Sequence, residues 1–275
     1  MCIRDRTHSH NSFYKAADLL GIKLVQVPEV HGIVDITKVK KSINKNTIML
    51  VGVAGTTPLG LIDPIDNLSD LASDHSLLLH VDASFGGFVI PFLKDLGYSP
   101  PVFDFKLPGV SSIAIDSHKM GLAPIPSSCI LFRKRSLLKG IKNDINYLSG
   151  GHKSRSTLLG TSPGASIISL WSILNLNGRN GYVKLINQCM KNTDYFYNEL
   201  IKIPNISVIS KPVLNIIGFK ITSSSQTKFI KNIRQQGWAI SVFPTHIRIV
   251  IMPHIKRKHI DSFIKDIKNL VKNSI

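Results

Sequence analysis

Residues 47–82 read TIMLVGVAGTTPLGLIDPIDNLSDLASDHSLLLHVD. Thr47–Ala54 is an unbroken apolar run, the pattern of a strand covered on both faces. Gly55-Thr56-Thr57-Pro58 interrupts it with turn residues. From Pro64 to His75 the apolar residues fall at helical spacing, with Ile65, Leu68 and Leu71 on one face. Leu77–Val81 is a second apolar run, and it ends on Asp82. Strand, helix and strand at this spacing require a crossover connection, so the reading is an α/β domain built on a mainly parallel sheet. Working outward, Lys23–Val27, Ser111–Ile115 and Cys129–Phe132 read as further strands and Thr37–Ile43 as a helix. After Pro163 come helices at about 164–176 and 182–201, separated by a Gly178–Gly181 break. A smaller α+β unit follows, with strands at 207–209, 215–221, 238–242 and 247–252 and helices at 226–236 and 256–272.

This pattern divides the chain into a large domain over residues 7–178 and a small C-terminal α+β domain over 179–275. Residues 1–6 have no apolar signal-peptide core. They read as a non-native leader or scar outside the fold.

Composition narrows the classes. Of 275 residues, 43% are apolar and 19% charged, which suits a folded globular protein and not a disordered one. No apolar stretch reaches the roughly 18 residues of a membrane span. Three scattered cysteines, Cys2, Cys129 and Cys189, form neither a disulfide framework nor a metal cluster, and the expectation is a reducing, cytoplasmic setting with no metal. The net charge is +17, and the residues from Gly181 onward hold 15 basic and 4 acidic side chains. These lysines are dispersed and not interleaved with aromatics, so a solvated basic surface is expected in preference to a nucleic-acid or membrane partner.

In open parallel sheets, ligands sit beyond the carboxyl ends of the strands. Thr57, Asp82 and Lys119 each lie just past such an end. Asp82 opens the run Asp82-Ala83-Ser84-Phe85-Gly86-Gly87, and a second run, Asp116-Ser117-His118-Lys119-Met120-Gly121, places Lys119 37 residues after Asp82. A carboxylate at a strand end and a His-Lys pair in a neighbouring loop suit pyridoxal 5'-phosphate. That cofactor needs an amine to condense with its aldehyde, and an acid opposite its pyridine nitrogen so that the ring accepts electrons. His80 reads as a packed strand residue, and Gly86 and Gly87 as places of close backbone approach.

These segments resemble the group II pyridoxal-phosphate-dependent amino-acid decarboxylases of fold type I, most of all the archaeal L-tyrosine/L-aspartate decarboxylase branch. The pieces that carry the resemblance are His10–Gly21, Ala54–Thr57, His80–Pro91, Phe105–Pro126 and Arg248–His254, in the same order. The resemblance implies Lys119 as the Schiff-base lysine, Asp82 against the pyridine N–H, and His10 stacked on the ring with Ser84 under its opposite face. It places Thr57 near the phenolic oxygen, His118 beside the phosphate, Asp63 behind the residues that touch cofactor, and Arg248 on the substrate carboxylate. The activity implied is decarboxylation of an L-amino acid, tyrosine or aspartate, by a homodimer.

Three departures stand out. No Gly-rich phosphate-binding turn precedes His10, so the chain reads as truncated at its N terminus. The late-loop run Gly160-Thr161-Ser162-Pro163 has Ser where related enzymes place Arg. Ser84 and Ser117 replace the more usual Ala and Pro. Two alternatives remain: a carbon–carbon lyase like the sphingosine-phosphate lyases, using the same cofactor, and an inactive fragment or basic binding module.

Overall fold

A computed structural model describes residues 1–145, 147, 149, 153–157, 161, 163–222 and 226–272. Gly160 and Ser162 of the late-loop run lie outside these. The chain forms two compact units. The first comprises Met1–Ala54, Pro64–Gly87 and Pro101–Leu176, and the second Gly55–Asp63, Phe88–Pro100 and Asn177–Ile275. The second unit thus takes two segments from inside the range 7–178.

The first unit is built on a six-stranded sheet of order β2-β1-β5-β6-β7-β8. Its strands are β1 (Cys2–Arg6), β2 (Lys23–Val27), β5 (Thr47–Val53), β6 (Leu78–Asp82), β7 (Val110–Ile115) and β8 (Cys129–Phe132). β3 (Glu29–Val30) and β4 (Ile33–Val34) form a small hairpin, and β9 (Asn143–Ile145) pairs with β10 (Lys153–Arg155). β1, β2, β5, β6 and β7 pair in parallel, and β8 runs antiparallel to β7. The unit also holds α1 (Asn11–Leu20), α2 (Ile36–Ser42), α3 (Ile65–Asp74) and α5 (Arg135–Lys139).

α3 lies directly on β5. A Cβ at Gly52 would sit 2.5 Å from Ile65 Cδ1 and 2.6 Å from Leu68 Cδ1, so only glycine lets the helix approach this closely. Ile65 and Leu68 are buried, as are Leu50, Val51, Leu79 and Val81 in the strands between which α3 crosses over. Burial of each such side chain contributes about 1.5–3 kcal/mol.

Cys2–Arg6, which the sequence reading sets aside as leader or scar, form a strand. They lie within the sheet, as β1 between β2 and β5. The strand pattern is hidden because Arg4 and Arg6 are polar yet buried. Arg6 pairs with Glu29 at 2.7 Å, and Arg4 Nε donates to the Ser42 carbonyl at 2.7 Å.

α4 (Ile90–Leu93) belongs to the second unit. α6 (Ala165–Leu200) is broken at Gly178, whose φ of 53° lies in the left-handed region that glycine tolerates. Beyond the break come β11 (Ile206–Val208), β12 (Ile216–Ile221), α7 (Gln226–Gln235), β13 (Ser241–Val242), β14 (Ile247–Val250) and α8 (Arg257–Lys272). The strands form an antiparallel sheet of order β11-β12-β14-β13. α8 presents Ile260, Phe263, Ile264, Ile267 and Val271 to a core that includes Ile217, Phe219, Ile247 and Ile251. Among the described residues, no helix is long and apolar enough to cross a membrane.

Candidate functional site

In the first unit, the chemistry gathers at the carboxyl ends of β6 and β7. Asp82 closes β6 opposite Ala114 of β7. Its Oδ1 accepts the Ser84 backbone N–H at 3.0 Å, which fixes the carboxylate over its own turn. Two backbone bonds tie this turn to the end of β7: Ala83 N–H to the Ala114 carbonyl at 2.9 Å, and Asp116 N–H to the Ser84 carbonyl at 3.2 Å. The loops carrying Asp82, Ser84 and Asp116 are therefore locked together.

The turn after β7 carries Lys119. Its backbone N–H donates to the Asp116 carbonyl at 3.2 Å, and its Nζ pairs with Asp116 Oδ2 at 2.9 Å. The Lys119 side chain is 36% exposed, so the amine is reachable from outside. His118 is held from the other side. Its backbone N–H and its Nδ1 both donate to the Ser127 carbonyl, at 3.0 and 2.6 Å. Its Nε2 lies 3.8 Å from Asp116 Oδ2. The buried Ser117 hydroxyl bonds that of Ser127 at 2.6 Å. Ser117 thus adds a cross-link from the turn to the Ser127 segment.

His10 caps α1 and is exposed; its Nδ1 accepts the Ser12 backbone N–H at 3.2 Å and lies 2.8 Å from the Ser12 hydroxyl. His80 packs, as its strand position suggests. Its ring bonds the Ser112 hydroxyl at 2.8 Å and meets Phe13 edge-on. Burial pulls its pKa below the ordinary value, although Asp82 opposes that shift. Gly87 lies against Ile115, where a Cβ would come within 2.8 Å.

The remaining sequence candidates, Thr57, Asp63 and Arg248, belong to the second unit. Thr57 is exposed, and its carbonyl accepts Arg248 Nη1 at 2.8 Å. Arg248 Nη2 donates to the Ser241 hydroxyl at 3.2 Å, and the guanidinium lies over the Phe243 ring, 5.2 Å from its centroid. Its Nε is buried with no hydrogen-bond partner among the described residues, and burial lowers the group's pKa. Asp63 is fully buried.

Sequence reasoning missed two residues. Asp116 sat inside the quoted motif, but its contact with Lys119 is a matter of turn geometry. His246 carried no motif at all. Its Nε2 donates to the Pro58 carbonyl at 3.0 Å and its Nδ1 accepts the Thr245 hydroxyl at 3.0 Å, so it anchors the Thr57 loop from β14's side. Burial depresses its pKa and favours the neutral ring that this pattern needs.

Within the first unit, a reachable amine, a strand-end carboxylate and an imidazole stand on interlocked loops, a donor set that fits an aldehyde cofactor with an aromatic nitrogen and an anionic group. Comparison with known proteins agrees. The family model described as the pyridoxal-dependent decarboxylase conserved domain matches residues 6–222. The L-aspartate/L-glutamate decarboxylase of Pyrococcus horikoshii is 46% identical over 266 residues, covering 96% of this chain and 68% of that protein. A probable L-tyrosine/L-aspartate decarboxylase of Methanothermobacter thermautotrophicus is 44% identical over 265 residues, covering 95% and 72%. Among solved structures, the sphingosine-1-phosphate lyase of Burkholderia pseudomallei superposes with a TM-score of 0.92 at 29% identity, over 98% of this chain and 63% of that one. With a family model matched from the last residue of β1 to the residue after β12, and that match spanning the Asp82 and Lys119 loops, this chain belongs to the pyridoxal-dependent decarboxylase family.

Proposed function

We propose that this chain carries the catalytic face of a pyridoxal 5'-phosphate-dependent decarboxylase that converts an L-amino acid, aspartate or tyrosine, to its amine and carbon dioxide. The observation that carries the reading is the reachable Lys119 amine on a turn bonded to the Asp82 loop. When bound, the cofactor supplies an electron sink for the pair left on Cα as carbon dioxide departs.

The residues divide the remaining work. Lys119 offers the amine that attaches the cofactor. Asp82, held by the Ser84 N–H, would face the ring nitrogen and hold its proton. His10 and Ser84 would cover the two ring faces, Thr57 would lie by the phenolic oxygen, and His118 by the phosphate. Asp63 would stand behind the residues that touch cofactor, as the family resemblance implies. Arg248 offers a guanidinium to the substrate carboxylate, a pairing its planar fork suits.

The test uses purified protein mixed with pyridoxal 5'-phosphate. Wild type should develop a visible absorption band, and borohydride should fix the label on Lys119; Lys119→Ala should show neither. Carbon dioxide release across an amino-acid panel then identifies the substrate. The lyase likeness supports a second reading, cleavage of a carbon–carbon bond with the same cofactor. Turnover of sphingosine 1-phosphate without carbon dioxide release from any amino acid would favour it.

The proposed assembly is a cytoplasmic homodimer. On α6, Ile167, Ile168, Trp171 and Leu176 are 71%, 65%, 66% and 85% exposed, an apolar surface suited to a second copy. Sedimentation equilibrium reads the state directly.

A further inference from the structure

The carboxylate of Asp116 faces the one amine on which the proposed chemistry depends. Its Oδ2 lies 2.9 Å from Lys119 Nζ, and the same oxygen lies 3.8 Å from His118 Nε2. The backbone leaves it little freedom: Asp116 N–H is bonded to the Ser84 carbonyl, and the Asp116 carbonyl accepts the Lys119 N–H. Ser117 and His118, the next two residues, are fastened to Ser127. The backbone that carries the carboxylate and the amine is thus fixed, and the two groups meet across one turn.

We propose that Asp116 is a positioning residue that restrains the free Lys119 amine, and that capture of an aldehyde requires this ion pair to open. The condensation forms one C=N bond and releases one water. Before it, the ammonium must lose a proton to solvent and leave the carboxylate at 2.9 Å. An ion pair at a partly exposed site is worth a fraction of a kcal/mol to about 1 kcal/mol, so its loss should speed capture about two- to fivefold.

The inference rests on the proposed role of Lys119, and the experiment has two arms to keep the two apart. In one, pyridoxal 5'-phosphate is mixed rapidly with wild type, Asp116→Asn and Asp116→Ala, and the growth of the visible band is timed at one pH. In the other, limiting acetic anhydride acylates the same proteins without cofactor, and peptide mass spectrometry reads the rate at Lys119 relative to exposed lysines. Both variants should react about two- to fivefold faster than wild type in both arms, with unchanged Tm. Asp116→Asn, nearly isosteric, keeps the test valid if the alanine variant unfolds. Acylation of Lys119 at an equal or slower rate in a folded Asp116→Asn protein overturns the restraint. Faster acylation with no cofactor uptake by wild type leaves the restraint standing and removes the proposed function instead.

Discussion

Arg248 donates through Nη1 to the backbone carbonyl of Thr57 at 2.8 Å, which joins the proposed substrate-binding arginine to a loop that it also helps to hold. Substitution separates the proposed substrate role from the observed loop contact. Lysine at this position keeps a positive charge but loses the fork and the bond to Ser241. Arg248→Lys should raise KM for the amino acid about 10- to 100-fold, the equivalent of one lost charge-assisted hydrogen bond of about 1.5–3 kcal/mol. kcat should fall less. Steady-state carbon dioxide release measures both; an unchanged KM with a lowered Tm would confine Arg248 to holding the loop.

In the proposed function, Asp82 is the group whose chemistry matters most after cofactor capture. Asparagine preserves its shape and can still accept the Ser84 N–H, but it no longer carries the charge that keeps a ring proton in place. Asp82→Asn should therefore still take up cofactor on Lys119 while decarboxylating at least about 100-fold more slowly, or ~2.7 kcal/mol of barrier. The visible band and single-turnover carbon dioxide release report the two steps separately. Near-normal turnover would contradict the assignment.

The parts of the fold legible in the sequence are those whose buried residues are also apolar. β5, α3 and β6 announce themselves because both faces of the strands and one face of the helix are covered. β1 was hidden because its buried arginines are held by partners distant in sequence, Arg6 by Glu29 and Arg4 by the Ser42 carbonyl. α1 gave no helical stripe, since Ala17 is its one buried residue and Leu19 and Leu20 face solvent. The run 238–242 promised a full strand, yet pairing is confined to Ser241–Val242. Trp238 instead bonds Asp266 and packs on Phe263, serving α8. At the candidate site, the sequence singles out Lys119, Asp82 and His118 because their chemistry is rare in such a pattern. The contacts of Asp116 and His246 depend on turn and loop geometry that periodicity does not encode.

Gly52 offers a test of the packing that sets β5 beside β6. A Cβ there would strike the tips of Ile65 and Leu68, side chains buried at 0% and 1% exposure. Gly52→Ala should lower stability by about 1–3 kcal/mol through overpacking. The midpoint of urea unfolding reports it. An unshifted midpoint would mean that α3 moves away from the sheet without cost.

His80 predicts an acid sensitivity with a definite sign. Its ring is buried, bonded to Ser112, and held below the ordinary histidine pKa of 6.5 by desolvation. Below pH 6.5 the unfolded chain takes up a proton at this residue, and the folded chain does so only at lower pH. The unfolded state then binds more protons, so stability falls as pH drops from 6.5 toward the folded-state value. The loss is at most about 1.4 kcal/mol per pH unit for a single proton. His80→Asn removes this contribution and leaves the other titrating groups, such as His246 and Glu29, in place. Urea midpoints at pH 7.5 and 5.5 should therefore drop further for wild type than for His80→Asn. Equal drops would show that the folded protein protonates His80 as readily as the unfolded chain, and would place the ring in contact with water or with the Asp82 charge more strongly than its burial against Phe13 and Ser112 allows.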